Sequence, residues 1–166
     1  NIREVRRKII AGINKKIDLL LVSGGVSVGD YDFVKDVLLD LGTKIKVWKV
    51  AIRPGKPLVF GYIKGIPVFG LPGNPVSSMV VFEEFVRPAI LKMCGAKKLF
   101  RPVSTAILKQ DFKKRKGLKY FVRVKIENKD KKLYASLTGP QGSGILRSMV
   151  LADAIMIAPE ERSELK

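Results

Sequence analysis

The chain has 166 residues, 46% hydrophobic and 28% charged, enough apolar material for one large or two small cores. It holds no histidine and one cysteine, Cys94, which excludes histidine triads, histidine zinc sites and an internal disulfide. Acid–base and metal chemistry therefore fall to Asp and Glu, and a reducing cytoplasm is the expected compartment. No apolar run reaches the ~18 residues of a membrane-spanning helix, and the opening residues contain no signal-peptide core.

The net charge is +17, with 15 basic and 8 acidic residues over 1–95 and 17 and 7 over 96–166. Such a surplus favours anionic partners by long-range attraction. Nucleic acid is set aside. The densest run, Lys113-Lys114-Arg115-Lys116, has no interleaved aromatic residues on which bases would stack, and it reads as solvated surface.

In chain order, Ile2, Val5, Ile9 and Ile13 share one face of a helix. Ile17–Val22 is a continuous apolar run of strand length, expected to be buried on both faces as in a parallel sheet. A glycine loop follows, Ser23 to Asp32, and then Val34, Val37, Leu38 and Leu41 repeat with helical spacing up to a stop at Gly42. Lys44–Ile52 reads as a strand. Arg53-Pro54-Gly55-Lys56-Pro57 is a turn. Leu58–Ile63 and Val68–Leu71 form a hairpin around Lys64-Gly65. Asn74-Pro75 pairs a capping residue with proline at the first helical position, starting a helix that runs past a bend at Pro88 to Met93. From Ala96 the pattern changes to short strands: Val103–Leu108, Tyr120–Ile126, Leu133–Leu137 and Ala154–Ile157. These read as a small β domain.

Both glycine loops join a strand to a helix. There, free backbone N–H groups face an anion, and glycine lets the backbone approach it closely. Ser23-Gly24-Gly25-Val26-Ser27-Val28-Gly29 adds serine hydroxyls, and it matches neither a dinucleotide fingerprint nor a Walker A loop. Asp30 reads as a helix cap. Asp32, a second carboxylate beside a phosphate loop, is a natural oxygen ligand for magnesium. Arg53 and Lys56 sit in a turn stiffened by Pro54 and Pro57. Gly70 to Ser78 reads as a second anion loop with Ser77 and Ser78 in the first helical turn.

Together, G-G-V-S-x-G-x-x-D, P-G-K-P and G-L-P-G-N-P-V-S, in this order, resemble the molybdopterin molybdenumtransferases, the family of bacterial MoeA and the gephyrin E domain. The likeness covers essentially the whole chain as that family's last two domains. It implies an α/β three-layer domain with a mostly parallel sheet over residues 1–95, lacking its N-terminal strand, then a small all-β barrel-like domain over 96–166. The related adenylyltransferases carry a G-G-T-G type loop, from which Val26-Ser27 separates this chain.

The resemblance implies insertion of molybdate into adenylylated molybdopterin, with release of AMP and a requirement for magnesium. Gly24, Gly25 and Ser27, with Ser23 and Gly29 beside them, resemble the loop that receives the pterin phosphate or adenylate. Gly73, Asn74 and Ser77 resemble the second phosphate loop, and Asp32 the metal-associated carboxylate. Lys56 and Pro57, beside Arg53, resemble a molybdate-contacting turn, with Lys56 and Asp32 in the catalytic roles. Gln141-Gly142-Ser143-Gly144 resembles a late Q-x-S segment in which Ser143 offers a donor to the oxyanion. A homodimer, a molybdopterin adenylyltransferase as partner, and an incomplete, inactive isolated chain are further implications. The alternative is a non-catalytic molybdopterin-binding or scaffolding module that holds a receptor peptide, as gephyrin-like members do.

Overall fold

The computed structural model describes residues 2–25 and 33–166. They form two compact units: residues up to Val50 with Gly55–Val86, and Ala51–Pro54 with Arg87–Lys166. These units divide at Val86, and the second also takes the short piece Ala51–Pro54.

In the first unit, α1 (Ile2–Ile13) turns Ile9 into the core, with Val5 and Ile13 packed against it. β1 (Leu20–Ser23) follows, then α2 (Val34–Asp40), which buries Val34, Val37 and Leu38. Gly42 ends α2 as expected. At φ +81° its N–H reaches Leu39 O at 2.8 Å, and Thr43 N–H reaches Leu38 O at 2.9 Å, the double bond of a Schellman cap. The sheet runs β1-β5-β4-β2, with β2 at Lys44–Trp48, β4 at Val59–Ile63 and β5 at Ile66–Leu71.

The α/β class stands, and the sheet itself is mixed. β1 and β5 are parallel, while the β4–β5 hairpin and the β2–β4 pair are antiparallel. The hairpin turn at Lys64 and Gly65 has positive φ at both residues, which matches the right-handed twist of the strands. Val59, Ile63 and Val68 complete the core with α1 and α2. Phe69 and Leu71, one step out of phase, face the other way, and α3 (Pro75–Val81) contacts β5 with Val76, Val80 and Val81 fully buried.

Three expectations are corrected here. β1 is not buried on both faces: among the described residues it lies at an edge of the sheet, and Leu21 is 39% exposed. The strand read over Lys44–Ile52 breaks after Trp48. Lys49 takes φ +67°, and Ile52–Arg53 becomes β3 of the second unit. The single helix to Met93 is instead α3, a π-turn over Phe82–Val86 and α4 (Arg87–Met93). In a regular α-helix the Pro88 ring would strike the carbonyl four residues back, and a widened turn directly before it relieves that clash.

The second unit is β-rich. β8 (Lys119–Lys129) pairs antiparallel with β9 (Lys132–Leu137) and β10 (Ala154–Ala158), and parallel with β3 at its start. Only Ile107–Leu108 of the expected Val103–Leu108 strand forms, as β6 beside β9. β7 (Phe112–Lys113) and β11 (Glu164–Leu165) make a two-stranded ribbon, and α5 (Arg147–Val150) is a single turn of helix. Phe112, Val122, Val124, Ala135 and Ala158 form the core, with Leu165 packed against it. Exposed ion pairs decorate the surface. The Lys109 ammonium donates to Glu127, and that hydrogen bond, with the attendant charge attraction, holds the Glu127 carboxyl below its usual range.

Gly61 in β4 lies close against the neighbouring strand. A Cβ there would lie 2.6 Å from Lys44 O and 3.0 Å from Ile45 Cα, both backbone atoms of β2. Gly61→Ala is expected to cost about 1–3 kcal/mol, as overpacking against an immobile neighbour does. Urea denaturation checks this, and an unshifted midpoint would show that the irregular β2–β4 pairing gives way at no cost.

Candidate functional site

In the parallel pairing of β1 and β5, Ser23 stands opposite Leu71. Both strands end there in the same direction, so both glycine loops leave from one edge of the sheet, where open α/β sheets bind ligands. The loops touch. Gly24 N–H donates to Leu71 O at 2.9 Å, and a Cβ on Gly73 would come within 3.7 Å of Gly24 Cα. Gly24 (φ +83°) and Gly25 (φ +69°) occupy the left-handed region that glycine enters freely. Gly25 O accepts from Val34 N at 3.0 Å, tying the loop to the start of α2. The structure thus brings Ser23, Gly24, Gly25 and Gly73 together. Ser27, Gly29, Asp30 and Asp32 lie outside the described residues.

A cavity of about 530 Å³ opens beside the first loop, lined by Ser23, Gly24 and Gly25 with Val22, Phe33 and Lys8. Lys8 was not singled out by sequence, where it is one of several basic residues on the polar face of α1. It lies 3.5 Å from Glu4, one turn earlier.

The second loop departs from expectation in one respect. Asn74 occupies the N-cap position of α3 with extended backbone (φ −66°, ψ 125°) and Pro75 follows, yet its side chain makes no capping hydrogen bond. The Ser78 hydroxyl instead reaches back to Pro72 O, fixing the loop carbonyl, while Ser78 N–H bonds Asn74 O at 2.9 Å. Ser77 is buried and Gly73 exposed.

The residues of the cationic turn fall in different units. Arg53, in β3, lies beside Tyr120 in register, with its guanidinium 5.6 Å from the Tyr120 ring centre. Lys114 approaches the same ring at 5.1 Å and donates to Leu118 O at 2.9 Å. In the first unit, Gly55 adopts φ +106°, Lys56 is exposed, its carbonyl accepts from Val50 N at 3.0 Å, and Pro57 is half-buried.

The Gln141–Ser148 segment is organised around Arg123, a residue that sequence reasoning missed. Arg123 is 1% exposed, and its guanidinium donates to Ser148 Oγ (3.1 Å), Gly142 O (3.2 Å) and Phe121 O (3.4 Å). Burial lowers its pKa from the usual guanidinium value. Gln141 brackets the same residue, its Oε1 accepting from Arg123 N at 2.9 Å and its Nε2 donating to Arg123 O at 3.1 Å. Ser143 is half-buried within this segment.

Among the described residues no group of three or more His, Cys, Asp or Glu side chains gathers into a metal cage, and no helix is long and apolar enough to cross a membrane.

Residues 1–92 match the family model of a probable molybdopterin binding domain, and residues 105–166 that of the MoeA C-terminal region, domain IV. The chain belongs to the MoeA/gephyrin family. It is 36% identical to the molybdopterin molybdenumtransferase of Haemophilus influenzae over 99% of its own length and 41% of that protein. It is 42% identical to the molybdenum cofactor synthesis protein cinnamon of Drosophila melanogaster over 89% of its length and 25% of that protein. The structure of a MoeA molybdopterin biosynthesis protein from Pyrococcus horikoshii superposes with a TM-score of 0.78 at 33% identity, covering 98% of this chain and 38% of that one. The chain therefore spans less than half the length of these MoeA relatives.

The two loop glycines differ in a way that stability can read. A Cβ on Gly25 would stand 2.7 Å from Val34 Cγ2, whereas one on Gly24 would meet nothing within 4 Å. Gly24→Ala is expected to cost only the left-handed backbone term, about 1–2 kcal/mol, and Gly25→Ala more. Equal unfolding midpoints for the two variants would mean that the Val34 contact does not constrain the loop.

Proposed function

We propose that the whole protein inserts molybdate into adenylylated molybdopterin and releases AMP, and that this chain supplies its phosphate-binding and anion-binding halves. The observation that carries this reading is the contact of two glycine loops at the carboxyl ends of parallel β1 and β5. Membership of the molybdopterin-binding family supports it.

In this reading the backbone of Gly24, Gly25 and Gly73 approaches the phosphate groups. Ser23, Ser27 and Ser77 offer hydroxyls, with Gly29 and Asn74 completing the two loops. Molybdate is a tetrahedral dianion, and fixed positive charge with hydroxyl donors suits it. Within the first unit the exposed Lys56 ammonium offers such charge from a turn held by Pro57, and within the second Arg53 and Ser143 offer donors. Asp32 would hold magnesium. That ion usually takes one or two carboxylates plus substrate phosphates, which a single carboxylate beside a phosphate loop would suit. When bound, magnesium would neutralise charge developing on the phosphates. A homodimer, substrate received from a molybdopterin adenylyltransferase, and a cytoplasmic setting consistent with the free Cys94 thiol complete the proposal.

Gly73 gives a clean test of the phosphate site, because its φ lies outside the left-handed region and a new methyl has ordinary contacts within the protein. Gly73→Ala and Ser77→Ala are expected to weaken AMP binding by roughly tenfold each, about 1.4 kcal/mol, with little loss of stability. Calorimetric titration checks this, and unchanged affinity in both variants would make the loops purely structural.

For Asp32→Asn in the whole protein, turnover is expected to fall by orders of magnitude with stability nearly intact. A carboxylate that only caps a helix would cost about 0.5–2 kcal/mol of stability and leave turnover alone. Measuring both quantities in this one variant separates metal holding from capping.

A further inference from the structure

Trp48, the chain's one tryptophan, is 44% exposed at the end of β2. β4 runs antiparallel to both β5 and β2. β2 therefore points the same way as β1 and β5, and ends at the edge from which both glycine loops leave. Trp48 stands in one register row with Val59, Gly70 and Val22, and Lys49 comes one step later, as Leu71 and Ser23 do on their strands. Two strand spacings, roughly 10 Å, separate β2 from β5.

Two ammonium groups lie on this indole. Lys35 Nζ is 3.4 Å from the ring centre and Lys49 Nζ 4.4 Å. Lys35 follows directly on Val34, whose N–H is held by Gly25 O of the first loop. Among the described residues no carboxylate pairs with either ammonium. Lysines on an edge strand commonly guard it against pairing with another chain, and the exposed Lys44 and Lys46 answer to that role. Lys35 is on a helix and Lys49 lies past the end of the strand, so guarding explains neither. Lys49 also takes φ +67°, a left-handed conformation that glycine adopts without its cost. Backbone strain of this kind gathers where function requires it, and here it sets a second cation beside Trp48.

We propose that Trp48, with Lys35 and Lys49, forms a subsite for a fused heteroaromatic ring of the ligand whose phosphate sits on the glycine loops. The ring stacks on the indole, and its nitrogen or oxygen acceptors take hydrogen bonds from the ammonium groups. This rests on the phosphate-binding role given to the loops above. Adenylylated molybdopterin carries two such rings, adenine and the pterin, and the choice of probes separates them.

The test titrates the whole protein by calorimetry with AMP, with hydroxymethylpterin phosphate, and with ribose phosphate, which keeps the phosphate and lacks the ring. Trp48→Leu keeps apolar bulk at an exposed position and removes the aromatic face. It is expected to raise the dissociation constant of AMP or of the pterin phosphate roughly tenfold, as losing one base–aromatic stack does, with ribose phosphate unchanged. The probe that responds names the ring. Trp48→Phe should restore most of the affinity. Lys49→Gly is expected to weaken the same probe about fivefold, the loss of one hydrogen bond, with an unfolding midpoint close to the parent's because glycine relieves the backbone. Lys46→Gln removes a charge from the same edge and should leave every affinity as it was.

Unchanged affinity for both ring-bearing probes in Trp48→Leu overturns the proposal. An equal loss for ribose phosphate overturns it too, since Trp48 would then merely support the phosphate loops. Equal losses in Lys46→Gln and Lys49→Gly would reduce the lysines to general charge attraction and overturn their part in the subsite. A ring-bearing probe weakened by Trp48→Leu but by neither Gly73→Ala nor Ser77→Ala overturns the phosphate reading of the loops instead, and leaves a ring site independent of them.

Discussion

The parallel pairing of β1 with β5 is the constraint on which the candidate phosphate site depends. Parallel neighbours end on the same side, so the chain leaving each strand has to turn away at the same edge. Two turns in so small a space can coexist only if neither carries bulk toward the other. Gly24 and Gly73 meet with room for little more than a methyl between them, and Gly24 N–H closes the junction on Leu71 O. The same absence of side chains leaves the backbone accessible from outside. Close packing of the loops and access for a phosphate therefore have one cause.

The two units meet charge differently. In the first, anion recognition is assigned largely to the backbone, through glycines and helix-start geometry, with Lys56 as a single exposed cation. In the second the proposed donors are side chains, Arg53 on β3 and Ser143 in the segment after β9. The net charge of +17 contributes to both only at long range. Exposed pairs such as Lys113–Glu164 and Lys119–Glu160 add little to stability, since water and salt screen them.

What was legible in the sequence follows from how locally each feature is encoded. The two loops, the Lys64-Gly65 hairpin and the Gly42 stop are written in glycine, proline and asparagine, whose backbone preferences need no tertiary context. The Ile17–Val22 run announces a strand, but apolarity cannot say whether a strand lies at the centre or the edge of a sheet, and Leu21 is exposed as a result. The break at Lys49 is carried by a residue with no preference for positive φ, so nothing local marks it. Pro88 marked an irregular helix without specifying a π-turn. β7 and β11 are two residues long, too short for any periodicity to register. Arg123 was hidden for a different reason. A charged residue within an apolar strand reads as facing water, yet Phe121 through Val124 are all buried, because β8 is covered on both faces where the Gln141 loop folds over it.

One feature of connectivity bears on how such a protein is made. Ala51–Pro54 belongs to the second unit, where β3 lies against the start of β8 and Lys119 N–H donates to Ala51 O at 2.9 Å. The chain then returns to the first unit at Gly55 and leaves it for good after Val86. On the ribosome, β3 emerges long before its partner strand exists, and it has to wait, unpaired, while the rest of the first unit is synthesised. The second unit closes only when β8 arrives, after an interval set by translation rather than by diffusion. Cutting the chain at Arg87 would deliver a β unit without this strand and a first unit with an orphaned one. Neither half so cut would hold its full set of strands.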